Sequence, residues 1–205
     1  MSYNPRDHYF KKAKKENFVA RSVYKLDEIQ KKYRLLKPGD CILDLGASPG
    51  SWSQLASRTV KPQEGVKPQE GAPGQVVAVD LKPLTLSIPN VQFLLGDARQ
   101  VDWKEVLSNL GRSHFDVVLS DMAPSTTGIK FTDQARSLEL CELALALAEE
   151  FLRPGGNFVC KLFHGGEFRE FKLQMEKRFQ QCEALKPQST RSQSKEIFLI
   201  GLRKT

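Results

Sequence analysis

Two hydrophobic rhythms alternate along this chain. Short apolar runs rich in β-branched residues occur at CILDL (41–45), QVVAVD (75–80), VQFLL (91–95), FDVVLSD (115–121), NFVCKLF (157–163) and EIFLIGL (196–202). Their length and their Gly, Pro, Asn and Asp neighbours predict buried strands. Between them the spacing predicts helices over 50–60, 102–110, 132–152 and 165–180, the third with Leu138, Cys141, Leu145 and Ala148 on one face. Ahead of the first strand, Val19, Val23, Leu26, Ile29 and Tyr33 recur at helical spacing. They predict a helix of about 15 residues ending before the turn Lys37-Pro38-Gly39-Asp40. The βαβ order implies an α/β fold, a mostly parallel doubly wound sheet with helices on both faces.

With 205 residues there is room for one domain, expected to comprise a basic N-terminal extension and helix (1–38) and a core (39–205). A tandem VKPQEG duplication, Val60–Gly65 and Val66–Gly71, cannot bury a core of its own and is expected to be a surface loop over 60–74. No apolar run approaches the roughly 20 residues of a membrane span, and no apolar segment follows the N-terminal charges, so a cytoplasmic protein is expected. Cys41, Cys141, Cys160 and Cys182 are scattered through apolar runs and read as buried free thiols. His8, His114 and His164 show no ligand spacing, and no metal is expected.

Net charge is +7, and residues 1–38 hold 11 of the 31 Lys/Arg against 4 of the 24 Asp/Glu, which leaves the remainder balanced. Lys11, Lys12, Lys14, Lys15, Arg21, Lys31, Lys32 and Arg34 are interleaved there with Tyr3, Tyr9, Phe10, Phe18, Tyr24 and Tyr33. Cations that pair with phosphates, beside rings on which bases stack, point to a nucleic acid, RNA ahead of DNA.

In an open parallel sheet, ligands bind beyond the carboxyl ends of the strands. The first strand runs into Asp44-Leu45-Gly46-Ala47-Ser48-Pro49-Gly50-Ser51-Trp52, a glycine-rich turn opening a helix. No G-K-[ST] follows, which excludes a P-loop. Asp44 would repel a pyrophosphate but suits an ammonium group. Asp80 can accept hydrogen bonds from a ribose diol and Asp97 from an adenine amino group. Asp44, Gly46, Gly50, Asp80 and Asp97, each at a predicted strand end, outline a site for S-adenosyl-L-methionine.

Asp121 ends the fourth predicted strand at the same edge. Lys161 and Glu196 lie among apolar neighbours on the fifth and last strands, where an unpaired charge would cost several kcal/mol. The three would converge if those strands are adjacent. Such a set suits methyl transfer to a sugar hydroxyl, with Lys161 acting either as a neutral base or, protonated, as a group that orients the hydroxyl and stabilises the developing oxyanion. A structural ion-pair network is the plainer alternative.

These residues resemble the FtsJ (RrmJ-like) RNA 2′-O-ribose methyltransferases over nearly the whole chain. The resemblance rests on RSVYKLDEI (21–29), DLGASPGSWSQ (44–54), SDMAP (120–124), CKLF (160–163) and SKEIFLIG (194–201). It implies a catalytic tetrad of Lys25, Asp121, Lys161 and Glu196, with Lys161 as proton acceptor. It also implies cofactor contacts at Gly50, Trp52, Asp80, Asp97 and Asp121, and RNA binding by the basic N-terminal helix. The implied architecture is a monomeric Rossmann-like class I methyltransferase, a seven-stranded sheet whose last strand is antiparallel. Ser51, where many members have glycine, and the duplicated loop depart from the family pattern. The expected activity is adenosylmethionine-dependent 2′-O-methylation of a uridine in large-subunit ribosomal RNA. The alternatives are a tRNA methyltransferase of the same family, a non-catalytic ribosome-associated binding module and, less well matched by the turn, a nicotinamide-dependent oxidoreductase.

Overall fold

The computed structural model describes residues 8–61, 74–191 and 193–205. Tyr3 and the duplicated segment from residue 62 to residue 73 lie outside them. In chain order the elements are α1 (His8–Lys15), α2 (Val23–Tyr33), β1 (Cys41–Leu45), α3 (Ser51–Val60), β2 (Gln75–Asp80), β3 (Val91–Leu95), a single 3-10 turn (Ala98–Gln100), α4 (Trp103–Asn109), β4 (Phe115–Ser120), α5 (Lys130–Phe151), β5 (Leu152–Phe163), α6 (Phe168–Glu176), β6 (Phe179–Leu185) and β7 (Glu196–Lys204). Among the described residues, no helix is long and apolar enough to cross a membrane.

The strands form one seven-stranded sheet in the order β3-β2-β1-β4-β5-β7-β6. The first five are parallel, and β7 runs antiparallel to both β5 and β6. The expected antiparallel last strand is therefore present and lies beside β5. Two strands differ from the expectation: β5 starts at Leu152, five residues ahead of the predicted run, and β6 is missing from the apolar pattern. FQQCEAL is mostly half-buried and interrupts its apolar residues with two glutamines and a glutamate, an edge strand without a continuous apolar run, so the apolar pattern left it unread and stretched the preceding helix to residue 180.

Alternation along the strands sorts the core into two layers. Leu43, Val77, Val118, Phe158 and Leu199 face α4, α5 and α6. Ile42, Val76, Leu119, Val159 and Phe198 face α2 and α3 through Leu26, Ile29, Trp52 and Ala56. The 22-residue α5 buries Ser137, Cys141, Ala144, Leu145 and Ala148, an i, i+4, i+7 stripe laid on the sheet. Cys41, Cys141 and Cys160 are buried free thiols, whereas Cys182, on edge strand β6, is only half-buried.

The N-terminal segment is two helices rather than one. Residues 16–22 make turns, with Asn17 at positive φ, and α2 is 11 residues long. It closes at Arg34, whose left-handed backbone lets its N–H reach Gln30 O at 2.8 Å. Three of the aromatic rings expected to be open stacking platforms, Tyr9, Phe18 and Tyr24, are instead packed together. Tyr24 is buried, Tyr9 lies 5.4 Å and Phe18 6.4 Å from it, and the cluster seats α1 on α2. Apolar area buried between two short helices outweighs leaving those rings in water.

Candidate active site

The sheet's two-residue period aligns the charged groups. On β2, β1, β4 and β5 the inward residues Val76, Ile42, Leu119 and Val159 face α2 and α3. Two or four residues further toward the carboxyl edge, the same face carries Asp80, Asp44, Asp121 and Lys161. Strand β7 runs the opposite way, so its first residue, Glu196, reaches that edge; it pairs with Phe163, and Phe198 pairs with Lys161. One edge of one face thus holds four carboxylates and a lysine.

Lys161 is 5% exposed at its side chain and its Nζ lies 2.9 Å from Asp121 Oδ1. The same Nζ donates to the Asp121 carbonyl at 2.7 Å. Lys25, in the first turn of α2, reaches down to Glu196 Oε2 at 2.5 Å and stands 5.7 Å above the Phe198 ring. Burial pushes the Glu196 carboxyl up, but Lys25 and then Lys161 outweigh it, and the group is held below its ordinary value. Lys161 is therefore within electrostatic reach of Glu196, and the four tetrad residues form one linked network.

Asp44 is fully buried. Its Oδ2 accepts the Ser53 hydroxyl at 2.5 Å, while Oδ1 has no hydrogen-bond partner among the described residues. Desolvation first, eased by Ser53 and reinforced by Asp121 and Asp80, pushes its carboxyl up to about 7. A buried acceptor without a partner is costly, and this one suits a cationic donor from a ligand. Gly46 makes the adjoining turn, with φ +75° and Met122 only 2.7–2.8 Å from where a Cβ would stand. Gly50, at φ +118°, opens α3. The first N–H groups of that helix precede its first i→i−4 bond.

Asp80 is pinned by two backbone donors, Ser48 N at 2.9 Å and Lys82 N at 2.8 Å, which fixes its direction and leaves lone pairs over. Asp97 caps the 3-10 turn through Arg99 N at 2.9 Å and pairs with the Arg99 guanidinium at 3.2 Å. Trp52 stands apart from the other expected cofactor contacts. Its indole is buried against Phe198 and donates to Ser22 O at 2.9 Å, so its backbone, not its ring, faces the turn. Ser51, the departure from glycine, is buried and shares a 2.7 Å hydrogen bond with Ser22, tying α3 to the start of α2.

The eight expected RNA-binding cations fall into two groups. Lys11, Lys12, Lys14 and Lys15 lie on α1, which packs on the Lys25 end of α2, and Lys12 sits over the Tyr24 ring at 4.5 Å. Arg21 belongs with them: it contacts Ser189 O and stacks on Tyr9 at 5.4 Å. Burial, then repulsion from Arg191, lowers its pKa. Lys31, Lys32 and Arg34 sit about 10 Å or more beyond Lys25, toward the opposite sheet edge, and Lys31 pairs with Asp27 at 2.6 Å.

The profile of the FtsJ-like methyltransferase family matches residues 18–204. The chain belongs to this family. It is 54% identical to ribosomal RNA large subunit methyltransferase E of Bdellovibrio bacteriovorus over 205 residues, all of both chains. The protein of the same name from Syntrophobacter fumaroxidans is 50% identical, over 99% of this chain and 98% of that one. A crystal structure of a Plasmodium falciparum protein described as a ribosomal RNA methyltransferase superposes with a TM-score of 0.74 at 29% identity, covering 91% of this chain and 98% of that one. Helix α1 precedes the segment matched to the FtsJ-like profile.

The reading of the sequence missed a second set of cations, Lys130, Lys186 and Lys195, around the outer side of Glu196. Lys195 stands inside SKEIFLIG (194–201), yet an exposed lysine there carries no pattern to mark it.

Proposed function

We propose that this FtsJ-like methyltransferase transfers a methyl group from S-adenosyl-L-methionine to the 2′-hydroxyl of a uridine in large-subunit ribosomal RNA, acting as a cytoplasmic monomer. The observation that carries the reading is the linked Lys25–Glu196–Lys161–Asp121 network, set at the carboxyl edge beside a buried carboxylate with an unused acceptor. The names of the two bacterial relatives support the ribosomal substrate.

The residues present fit the cofactor. Asp44 Oδ1 would take the ammonium of its amino-acid moiety, Gly46 and Gly50 would let it approach the backbone, Asp80 would receive the ribose diol and Asp97 the adenine amino group. When bound, the cofactor supplies an electrophilic methyl on a positively charged sulfur.

The chain's own part is to hold and deprotonate a weak nucleophile. With the methyl donor in place, the ribose 2′-oxygen would accept the methyl group, and the hydroxyl proton would pass to Lys161 Nζ in its neutral form. Asp121 and Glu196 then stabilise the resulting ammonium, and Lys25 keeps Glu196 ionised. The ion pair with Asp121 also favours a second role, in which a protonated Lys161 orients the hydroxyl and stabilises the charge that develops on it.

The test is transfer of labelled methyl to large ribosomal particles, free ribosomal RNA and tRNA from a strain lacking this protein, with mapping of alkali-resistant dinucleotides. Label in a large-subunit dinucleotide is expected. Label in tRNA alone would move the substrate to tRNA, and no label anywhere would leave a binding module without activity.

A further inference from the structure

Beside the tetrad, on the side of Glu196 away from Asp44, lies a cavity of about 400 Å³ lined by Lys130, His164, Lys186, Ser194, Lys195 and Glu196 itself. We propose that this cavity holds an RNA nucleotide next to the one being methylated, with its phosphate among Lys130, Lys186 and Lys195. The inference rests on the RNA methyltransferase reading and extends it to a substrate subsite.

Charge favours an anion here. Three lysines face one carboxylate, and that carboxylate is already paired with Lys25, so the wall is positive on balance. Size narrows the choice further. About 400 Å³ lies at the lower end of the range of small-molecule sites; it admits a single nucleotide and excludes a duplex, which means RNA opened at the target. Glu196 belongs both to this wall and to the tetrad, so a strand entering here leads directly to Lys161.

His164 of the lining, and residues next in sequence to Lys130, carry the features that base stacking uses. His164 is exposed and lies flat on Phe168, with ring centroids 5.2 Å apart and 26° between the planes. Ile129 and Phe131, on either side of Lys130, are 63% and 73% exposed. Phe131 is thus an open ring, unlike Tyr24 in the N-terminal cluster, and an open ring is what a base requires.

The wall is also fixed in place. Gln134, buried on α5, donates to His164 O at 2.7 Å, and His164 N donates to Lys195 O at 2.8 Å. Lys186 Nζ donates to Ser194 O at 2.9 Å. Lys130 and Lys195 carry none of these bonds with their side chains and can be changed without dismantling the wall.

The test compares the unaltered chain with the double variant Lys130→Gln/Lys195→Gln, with Phe131→Ala, and with a reference double variant, Lys104→Gln/Lys177→Gln, of exposed lysines on α4 and after α6. The readouts are KM and kcat on a ribosomal RNA fragment, adenosylmethionine affinity, and the salt dependence of RNA binding measured without transfer. The expected result for the first variant is a KM about tenfold higher with cofactor affinity unchanged, and a salt slope flatter by up to about 0.7, the change for one phosphate no longer neutralised on a single strand. Phe131→Ala is expected to weaken binding without changing the slope. If the cavity variants match the reference double variant in KM and slope while the wild type transfers methyl, the subsite is overturned and the enzyme reading stands. If the wild type binds RNA but transfers nothing, the enzyme reading fails, and the salt slope still decides whether RNA occupies the cavity.

Discussion

Lys25 Nζ lies 2.5 Å from Glu196 Oε2, joining two residues 171 positions apart, one on a helix ahead of the sheet and the other at the start of its last strand. The pair holds α2 over the active edge, with Glu28 of the same helix accepting from Gln188 N at 2.6 Å and Ser189 N at 2.9 Å. One helix therefore fixes both the tetrad and the loop beyond it.

Removing the lysine separates its electrostatic effect from its structural one. Lys25→Ala is expected to lower stability by about 2 kcal/mol at neutral pH, the usual worth of a hydrogen bond to a charged group, and to reduce transfer at least tenfold. Because Glu196 is held below its ordinary value, its contribution is complete above the ordinary carboxyl range and is lost as pH falls through the lowered value. Urea unfolding of both proteins at neutral and at acid pH checks this, since the difference between them must shrink in acid.

Lys161→Ala addresses chemistry. Lys161 meets the proposed cofactor groups at Asp121 and is not itself one of them, so adenosylmethionine affinity is expected to stay within a few-fold. Single-turnover transfer is expected to fall by about 10²–10⁴, the range for removal of an acid–base group. Cofactor affinity falling in parallel with rate would give the residue a structural role. A thermal melt should show some destabilisation as well, because Asp121 Oδ1 would be left buried without its cation.

The fold and most of the tetrad were legible because each rests on an unusual local pattern. A lysine inside FVCKLF and a glutamate opening EIFLIGL break apolar runs, and such breaks mark groups that need partners. Lys25 carries no such mark, since a lysine on a basic helix is ordinary; only the family resemblance singled it out. Charge and spacing could not sort the N-terminal aromatics either, because a ring beside lysines reads the same whether it is open or packed. Strand β6 was illegible for a third reason: at a sheet edge, half-burial leaves little apolar contrast.

The division of the basic segment into two ends of α2 predicts unequal effects on RNA. Lys11→Gln/Lys14→Gln/Lys15→Gln changes exposed cations on α1, next to the end of α2 that carries Lys25. It is expected to weaken RNA binding and to flatten its salt slope by about 0.7 for each phosphate no longer neutralised on a single strand. Lys31→Gln/Lys32→Gln/Arg34→Gln changes the far end and is expected to have the smaller effect. Equal slopes for the two triple variants would remove the distinction.

Asp44 should couple cofactor binding to protons. Its carboxyl is pushed up to about 7 by burial above all, against the Ser53 hydrogen bond and with help from Asp121 and Asp80. The free folded protein therefore binds a proton there more tightly than the unfolded chain does, and its stability from this group falls as pH rises from the ordinary carboxyl range through about 7. A ligand ammonium placed at Oδ1 reverses the preference and favours the carboxylate, so binding must expel the proton. Calorimetric titration with adenosylmethionine in buffers of different ionisation enthalpy is expected to show proton release on the acid side of about pH 7 that fades as the pH rises through that value. Asp44→Asn keeps the shape and the bond to Ser53 but cannot ionise. It is expected to remove the proton release, to weaken cofactor binding about 10–100-fold through loss of a charged hydrogen bond, and to make the free protein relatively more stable at alkaline pH. Release that persists in the variant would place the titrating group elsewhere at the edge.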